Sequence, residues 1–139
     1  MINAALQSAL YQKLNGTTAL TGLIAGIYDI VPQELSEENP PEDVFPYVVI
    51  GDDRISAWDT DTEFGFEAKI TIHVWTRAGG REQNQLIQKQ IYLALHRQTL
   101  SVTGYNTISA TFTESDLFID ADGLSQHGVI TFRLLADII

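Results

Sequence analysis

The longest regular pattern in the chain is an alternation of apolar and polar side chains over residues 64–76, which read FGFEAKITIHVWT. Even positions from Phe64 to Val74 are apolar, and most odd positions are polar. A period of two is typical of a strand with one buried face. At ~3.3 Å per residue such a strand would be on the order of 40 Å long, which is unusual. We therefore predict a central or near-central strand, part of which projects beyond its sheet.

Two longer segments have helical spacing. Residues 3–15 follow this period, with Asn3 placed to cap the start and Gly16 placed for a left-handed C-terminal cap; the apolar positions are Ile2, Leu6, Ala9, Leu10 and Leu14. Residues 81–99 carry an apolar stripe of Ile87, Ile91, Ala94 and Leu95, widened by Leu86. We expect this second helix to lie on the apolar face of the sheet.

A shorter helical turn is expected over residues 18–24. Thr18 is placed to cap it and Gly26 to end it, and the side chains expected to pack inward are Leu20, Leu23 and Ile24. A short strand over residues 27–31 should follow this turn.

Three further strands complete the predicted sheet. They cover residues 47–51, residues 107–118 with a bulge near 114–116, and residues 125–139 after a tight turn at Asp122 and Gly123. The predicted order is α-β-β-β-α-β-β, in a single domain over residues 1–139. This order indicates an α+β fold with a mostly antiparallel sheet, helices packed on one face, and a long protruding hairpin.

Residues 33–45 (QELSEENPPEDVF) have no periodicity and carry five acids and a Pro-Pro pair. A loop of that length is usually functional or disordered. We expect it to be mobile in the free chain and to become ordered against a partner. Its acidic residues are therefore candidates for a protein interface: Glu34, Glu37, Glu38, Glu42 and Asp43.

Residues 52–63 connect the strand at 47–51 to the long strand, and they place Trp58 between charged ends. Two interpretations of Trp58 remain open. It either lies on a protruding hairpin, as an exposed interface residue, or covers an edge of the core.

Composition limits the class of protein. A chain of 139 residues with 45% hydrophobic content suits one domain with one core. The chain has no cysteine, which excludes disulfides and thiolate chemistry. No apolar run approaches the ~18 residues of a membrane span, and the first residues lack a basic signal-peptide region. We expect a soluble protein made in the cytoplasm, with no membrane partner.

The charge is acidic and unevenly distributed. Of the 18 acids behind the net charge of −10, twelve lie between Asp29 and Glu67, where Arg54 is the only base. Phosphate binding requires Lys and Arg, so nucleic-acid readers and binders of anionic membranes are disfavoured. The acids of the proposed hairpin are candidates to face a partner or a bore: Asp52, Asp53, Asp59, Asp61 and Glu63.

Candidate catalytic and metal patterns fail on inspection. Residues 59–63 (DTDTE) begin like a calcium loop, but Phe64 stands where Gly is needed and Ile70 where a bidentate Glu is needed. The three histidines, His73, His96 and His127, lie on separate predicted elements with no ligand motif. Nucleophile-elbow and phosphate-loop patterns are missing from the sequence. We expect no enzyme activity, no metal and no cofactor.

Trp75 lies on the odd, otherwise polar face of the long strand, together with His73 and Lys69. Aromatic residues are enriched in interface cores, which favours a surface that is covered in an assembly. A second small core beneath the acidic loop is an equally good interpretation.

The order of these features resembles a known family. The segments that carry the resemblance are ALQSALYQKL, IYD, FPYVVIGDD, EAKITIHVWTRAGGREQNQLIQKQIYLAL and GVITFRLL. Together they are similar to the tail-completion, or tail-terminator, proteins of long-tailed phages and of phage-like gene transfer agents. That family offers no catalytic motif, so the resemblance assigns no catalytic residue.

The resemblance implies a structural virion protein that forms a ring, usually a hexamer, at the head-proximal end of the tail tube. Such a ring stops tube growth, contacts the major tail tube protein and the head-tail connector protein, and lets DNA pass without specific binding. Basic residues that could meet the acids of a neighbouring subunit are Arg77, Arg81 and Arg97. The alternative is a soluble acidic adaptor or inhibitor that binds a basic protein as a monomer or dimer.

Overall fold

The fold is built on a six-stranded sheet covered by helices. The computed structural model describes residues 2–29, 44–61, 63–77, 81–107, 109–121 and 123–138. The helices are α1 (Asn3–Asn15), α2 (Thr18–Thr21) and α3 (Arg81–Leu95). The strands are β1 (Gly26–Tyr28), β2 (Tyr47–Ala57), β3 (Gly65–Thr76), β4 (Tyr105–Thr107), β5 (Thr111–Ile119) and β6 (Gln126–Ile138).

The strand order is β1-β2-β3-β6, with β4 and β5 both on the outer side of β6. Only the β1–β2 pair is parallel among these pairings. The predicted α+β class with a mostly antiparallel sheet is therefore confirmed. The predicted order lacks only β4 and α2. Strand β4 shares only Thr107 with the strand predicted over residues 107–118, and α2 was predicted as a helical turn.

Strand β3 is central, as predicted, because β2 pairs with one side of it and β6 with the other. The prediction that part of it projects beyond the sheet is wrong. The β6 ladder accompanies β3 from Gly65 to Thr76, so only the turn of the long β2–β3 hairpin lies past the ladder. Phe64 falls in that turn and is 72% exposed, although its even position predicted burial.

The core lies between the sheet and the helices. Even positions of β3 from Ala68 to Thr76 and of β6 from Gly128 to Ala136 are buried, including Ile72 and Phe132, and α3 covers them with the predicted stripe. Helix α3 ends at Leu95 and not at residue 99, since Arg97 adopts a positive φ of 59°. Leu86 does not widen the stripe, because it faces solvent.

The predicted helix caps differ from those observed. Asn3 is the first helical residue and makes no capping bond; its amide donates to Asp53 Oδ2 at 3.4 Å. Gly16 is right-handed, with φ −81°. Helix α2 starts after Thr17, ends at Gly22, and leaves Leu23 exposed.

Strand β2 is longer than the predicted 47–51 and continues to Ala57. Its register shifts between Ile50 and Asp53, where an added Cβ on Gly51 would lie 2.6 Å from the His73 ring. The glycine that appeared to end the strand therefore marks a bulge, which is a common role for glycine inside a strand.

The last two strands match their prediction closely. The bulge in β5 falls between Phe112 and Glu114, one residue before the predicted position. Gly123 has a φ of 72° in the turn before β6, as a tight turn requires, while Asp122 lies outside the described residues. The short strand predicted over 27–31 is observed as β1, and residues 30 and 31 also lie outside the described part.

A buried amide pair fastens α3 to the sheet, and sequence periodicity missed it. Asn84 Nδ2 donates to the Val74 carbonyl at 3.1 Å and to Thr76 Oγ1 at 3.2 Å. Gln88 Nε2 donates to Asn84 Oδ1 at 2.9 Å. Any Cβ on Gly128 would collide with both amides, so the glycine opens the space that they fill.

Replacing Asn84 with Ala should lower the free energy of unfolding by about 2 to 3 kcal/mol, because buried partners lose their hydrogen bonds. Chemical denaturation of Asn84→Ala, compared with Gln85→Ala at the exposed neighbouring position, measures this difference. Equal midpoints for the two variants would show that the buried amide does not fasten the helix.

Ile72→Asp should prevent folding, since Ile72 is fully buried in the central strand and an unpaired buried carboxylate costs several kcal/mol. Circular dichroism and thermal melting test this expectation. A soluble variant with a cooperative melt would contradict the placement of even residues in the core.

Candidate interaction surface

An aromatic row crosses the face of the sheet opposite the helices. Tyr47, Trp75, His127 and Phe118 lie directly opposite one another on β2, β3, β6 and β5. Ring centroids are separated by 6.3 Å for Tyr47 and Trp75, 4.0 Å for Trp75 and His127, and 4.8 Å for His127 and Phe118. We call these four residues the aromatic row.

The row exists because odd positions of β3, including Trp75, point away from the helices. Strand pairing then places Tyr47 of β2 and His127 of β6 directly beside Trp75 on the same face. At the β2 end it continues into a small second apolar cluster with Val49, Tyr28, Val44 and Phe45. Trp75 belongs to this cluster and stays half-buried. The small additional core, which was the second interpretation of Trp75, is therefore observed. The acidic loop that was expected to cover it lies mostly outside the described residues.

Arg77 closes one end of this cluster. Its guanidinium carbon lies 4.7 Å from the centre of the Phe45 ring, and its Nε donates to Ser125 Oγ at 3.3 Å. Burial raises the pKa of Tyr47, and the positive charge of Arg77 partly opposes that rise. Arg77 is therefore held inside the subunit, beside the row.

His73 and His127 form a hydrogen bond on the same face of the sheet as the aromatic row. His73 Nδ1 and His127 Nε2 are 2.7 Å apart, so one of these nitrogens donates to the other. Burial lowers the pKa of His127 to about 4, with a further contribution from His73, while Asp120 acts in the opposite direction. Burial also lowers the pKa of His73, opposed by Asp52. Both imidazoles are neutral at pH 7.

Beside the histidines is a shallow cleft of about 400 Å³. Its lining includes Gln7 from α1 and the carboxylates Asp29, Asp52 and Asp53. Within the described residues, no group of three His, Cys, Asp or Glu side chains is arranged to hold a metal. The surface can pack and pair charges with a partner.

The turn of the β2–β3 hairpin forms a second exposed surface. Trp58 and Phe64 are exposed there, together with Asp61 and Glu63. Asp59 accepts a hydrogen bond from the Gly65 N–H at 3.0 Å, which fixes the turn. We call residues 58–61, 63 and 64 the hairpin tip. It lies ten residues along β3 from Trp75, on the order of 33 Å away at ~3.3 Å per residue.

The structure therefore separates the predicted acidic candidates into two groups. Asp59, Asp61 and Glu63 lie at the hairpin tip, whereas Asp52 and Asp53 lie in the cleft beside the β2 bulge. The loop candidates lie outside the described residues: Glu34, Glu37, Glu38, Glu42 and Asp43. Arg81 begins α3 and Arg97 follows its other end, so these two bases are not brought together.

Two open sheet edges were not apparent from the sequence. Strand β5 pairs only with β6, and β1 covers β2 only from Tyr47 to Val49, so residues 53–57 have no further strand beside them in the described chain. Apolar side chains are exposed at the end of β5 and in the turn after it: Phe118 at 47%, Ile119 at 64% and Leu124 at 61%. The sequence signal for this exposed edge was the occurrence of three large apolar residues within seven positions, 118–124, next to several acids.

None of the helices in the described part of the chain has the length and apolar character needed to span a membrane. The sheet has one face covered by helices, one face that carries the aromatic row, and edges left open in the described chain, and these surfaces suit contacts with other proteins. Comparison with known families makes the class of protein specific. The chain belongs to the tail completion protein gp17 family, whose model matches residues 8–137. Its role is a structural one in a phage-type tail.

Individual relatives agree with this assignment. The tail completion protein gp17 of Bacillus phage SPP1 is 27% identical over 135 residues, covering 96% of this chain and 92% of the relative. The solved structure of bacteriophage SPP1 gp17 matches with a TM-score of 0.59 at 26% identity, covering 98% and 89% of the two chains. A chain from the virion of a native gene transfer agent particle shares the fold, with a TM-score of 0.85 at 21% identity and coverage of 98% and 97%.

Acidification should destabilise the protein through His127. Its folded pKa of about 4 lies below its ordinary value of 6.5, so only the unfolded chain binds the proton between these values. The contribution of neutral His127 is complete above pH 6.5 and is lost as the pH falls towards 4. For a half-exposed group we expect a loss of about 1 to 2 kcal/mol after solvent screening.

The measurement is the free energy of unfolding of wild type and His127→Gln between pH 7 and pH 4. Carboxylates titrate in both proteins, so the difference between the two curves isolates the histidine. That difference should shift in favour of the variant as the pH falls. Parallel curves would contradict a neutral, half-buried His127.

Proposed function

We propose that this chain forms a ring, most simply a hexamer, at the head-proximal end of the tail tube. The ring ends tube growth and joins the tail to the head connector, and DNA passes through its bore. The observation that carries the proposal is the pair of uncovered surfaces at opposite ends of one continuous sheet. The hairpin tip lies at one end, and the aromatic row with the β5–β6 turn lies at the other.

A joining subunit must bind two different partners without transmitting strain between them. Strand β3 suits this role, because it runs from one surface to the other and is paired along both sides. Exposed aromatic side chains supply contact area at both ends, Phe64 at the tip and Phe118 at the row. Membership of the tail completion family, and the same fold in a chain of an assembled gene transfer agent virion, support a place in the tail.

The acids at the hairpin tip are our candidates for the bore. Asp61 and Glu63 are exposed, and repeated around a ring they would give a negative wall that DNA slides past. Asp59 is a weaker candidate because it caps the turn, and Asp52 and Asp53 belong to the cleft at a distance from the tip. The protein should show no measurable affinity for DNA at physiological salt.

Charge reversal at the tip tests this arrangement. Particles made with Asp61→Lys or Glu63→Lys should have tails of normal length and slower DNA ejection, because the bore then attracts phosphate. Glu82→Lys, the same reversal on the exposed start of α3, is the control and should behave as wild type. Abnormal tail length with unchanged ejection would move the tip acids from the bore to the tube-stopping contact.

The copy number in purified tails tests the ring itself. Quantitative mass spectrometry of wild-type particles should find about six copies per tail, as expected for closed cyclic symmetry. One or two copies per particle, or a protein absent from tails and bound to a basic partner in the cell, would favour the adaptor alternative.

A further inference from the structure

On the open face of the sheet, side chains at the two open edges carry opposite charges. On β5, Glu114 and Asp116 are exposed on the face that also carries the aromatic row, and residues 109–125 contain no Lys or Arg. At the other edge, Arg54 lies on that same open face, directly opposite Lys69 of β3. On the open face, the β5 edge is therefore acidic and the β2 edge basic, because the side chain of Asp53 lies on the helix-covered face, where it accepts a hydrogen bond from Asn3.

The basic edge is part of a row of three cations across the sheet. Arg54 is opposite Lys69, and Lys69 is opposite Arg133. Glu67 pairs with Arg133 at 2.8 Å, but no carboxylate of the described chain lies within ion-pair distance of Arg54 or Lys69. Like charges directly opposite one another destabilise a sheet, so this row gains from an anionic neighbour.

Backbone groups at both edges are oriented outward. The Asp120 N–H bonds to the Ser125 carbonyl across the turn, and alternation along β5 then turns the peptide groups of Ser115, Leu117 and Ile119 away from β6. The Trp58 N–H bonds to the Gly65 carbonyl, so by the same alternation the peptide groups of Ile55 and Ala57 point away from β3.

Exposure on β5 favours a partner that approaches edge-on. Phe118 is exposed on the open face and Ile119 on the helix-covered face. A partner lying flat on one face would cover only one of them. A strand added beside β5 covers both, as in β-augmentation.

Charge also selects which edges can meet. Pairing β5 with β5 of a second copy would bring carboxylates against carboxylates, and pairing β2 with β2 would bring Arg54 against Arg54. Only β5 against residues 53–57 of β2 is complementary. That contact is head-to-tail, and head-to-tail contacts generate rings when the rotation closes.

We propose that the ring closes by strand pairing between subunits, with β5 of one copy beside residues 53–57 of β2 in the next copy, where Glu114 and Asp116 meet Arg54 and Lys69. This rests on the proposed ring and assigns its interface. The sheet then continues from subunit to subunit, and its open face forms a continuous surface around the ring.

Charge exchange tests the pairing in assembled particles. Arg54→Glu and Asp116→Arg, each alone, should reduce joined particles at least about tenfold through like-charge repulsion. The double variant Arg54→Glu/Asp116→Arg should recover most of the loss. Arg54→Glu/Glu82→Arg, which changes a carboxylate of α3 on the opposite, helix-covered face, is the matched control and should not recover it.

Cross-linking gives a second readout that does not depend on charge. The chain has no cysteine, so Ser56→Cys and Glu114→Cys each provide a single thiol. In particles assembled from both variants together with an excess of wild-type subunits, a short bismaleimide should join Ser56→Cys of one copy to Glu114→Cys of another. Glu114→Cys alone should give no cross-linked dimer.

The outcomes separate this inference from the proposed function. A ring of about six copies, without rescue by the double variant and without the mixed cross-link, overturns the edge pairing and leaves the ring. Cross-linking by Glu114→Cys alone overturns it in favour of β5–β5 pairing. A copy number that excludes a ring overturns the proposed function together with this interface.

Discussion

The pairing of β3 on both of its sides is the constraint on which the rest of the structure depends. Because β2 and β6 pair with β3 along its length, the odd and even side chains of β3 are fixed on opposite faces of the sheet. The register then decides on which face each side chain of β2 and β6 lies. The even face receives α1 and α3 and becomes the core. The odd face receives Tyr47, His127 and Phe118 at the level of Trp75, and so an aromatic row forms without any contribution from the helices.

Much of this could be predicted from the sequence, because the period of two in β3 and β6 and the helical stripe of α3 are local signals. The errors occurred where a nonlocal contact decided the outcome. Gly51 appeared to end a strand, yet it marks a bulge beside the His73 ring. Asn84 is polar and was not part of the predicted apolar stripe of α3, yet it is buried because Gly128 on β6 leaves room for an amide. Phe64 fits the period of two but is exposed, because the pairing of β3 with β6 begins one residue later, at Gly65.

The candidate site was harder to predict for the same reason. Trp75 was recognisable from its position on the polar face, but its partners come from strands about 28 and 52 residues away, and only the register reveals them. The acids between residues 29 and 67 appeared to form one group by count. The β2 bulge places Asp52 and Asp53 beside the histidines, and the hairpin carries Asp61 and Glu63 to the far end of the sheet. Acids that lie close together in the sequence therefore belong to two separate surfaces of the folded chain.

Open sheet edges are a hazard for any free subunit, because an unpaired strand is a template for uncontrolled association. Charged side chains on an edge reduce that hazard, and β5 carries Glu114 and Asp116 where an apolar strand would aggregate. Identical carboxylates repel when two β5 edges approach, and the net charge of −10 keeps free subunits apart at long range. In the proposed ring, the same side chains attract the basic open face at the β2 edge of the next subunit. In the proposed ring, one pair of residues thus both protects the edge before assembly and selects the partner during assembly.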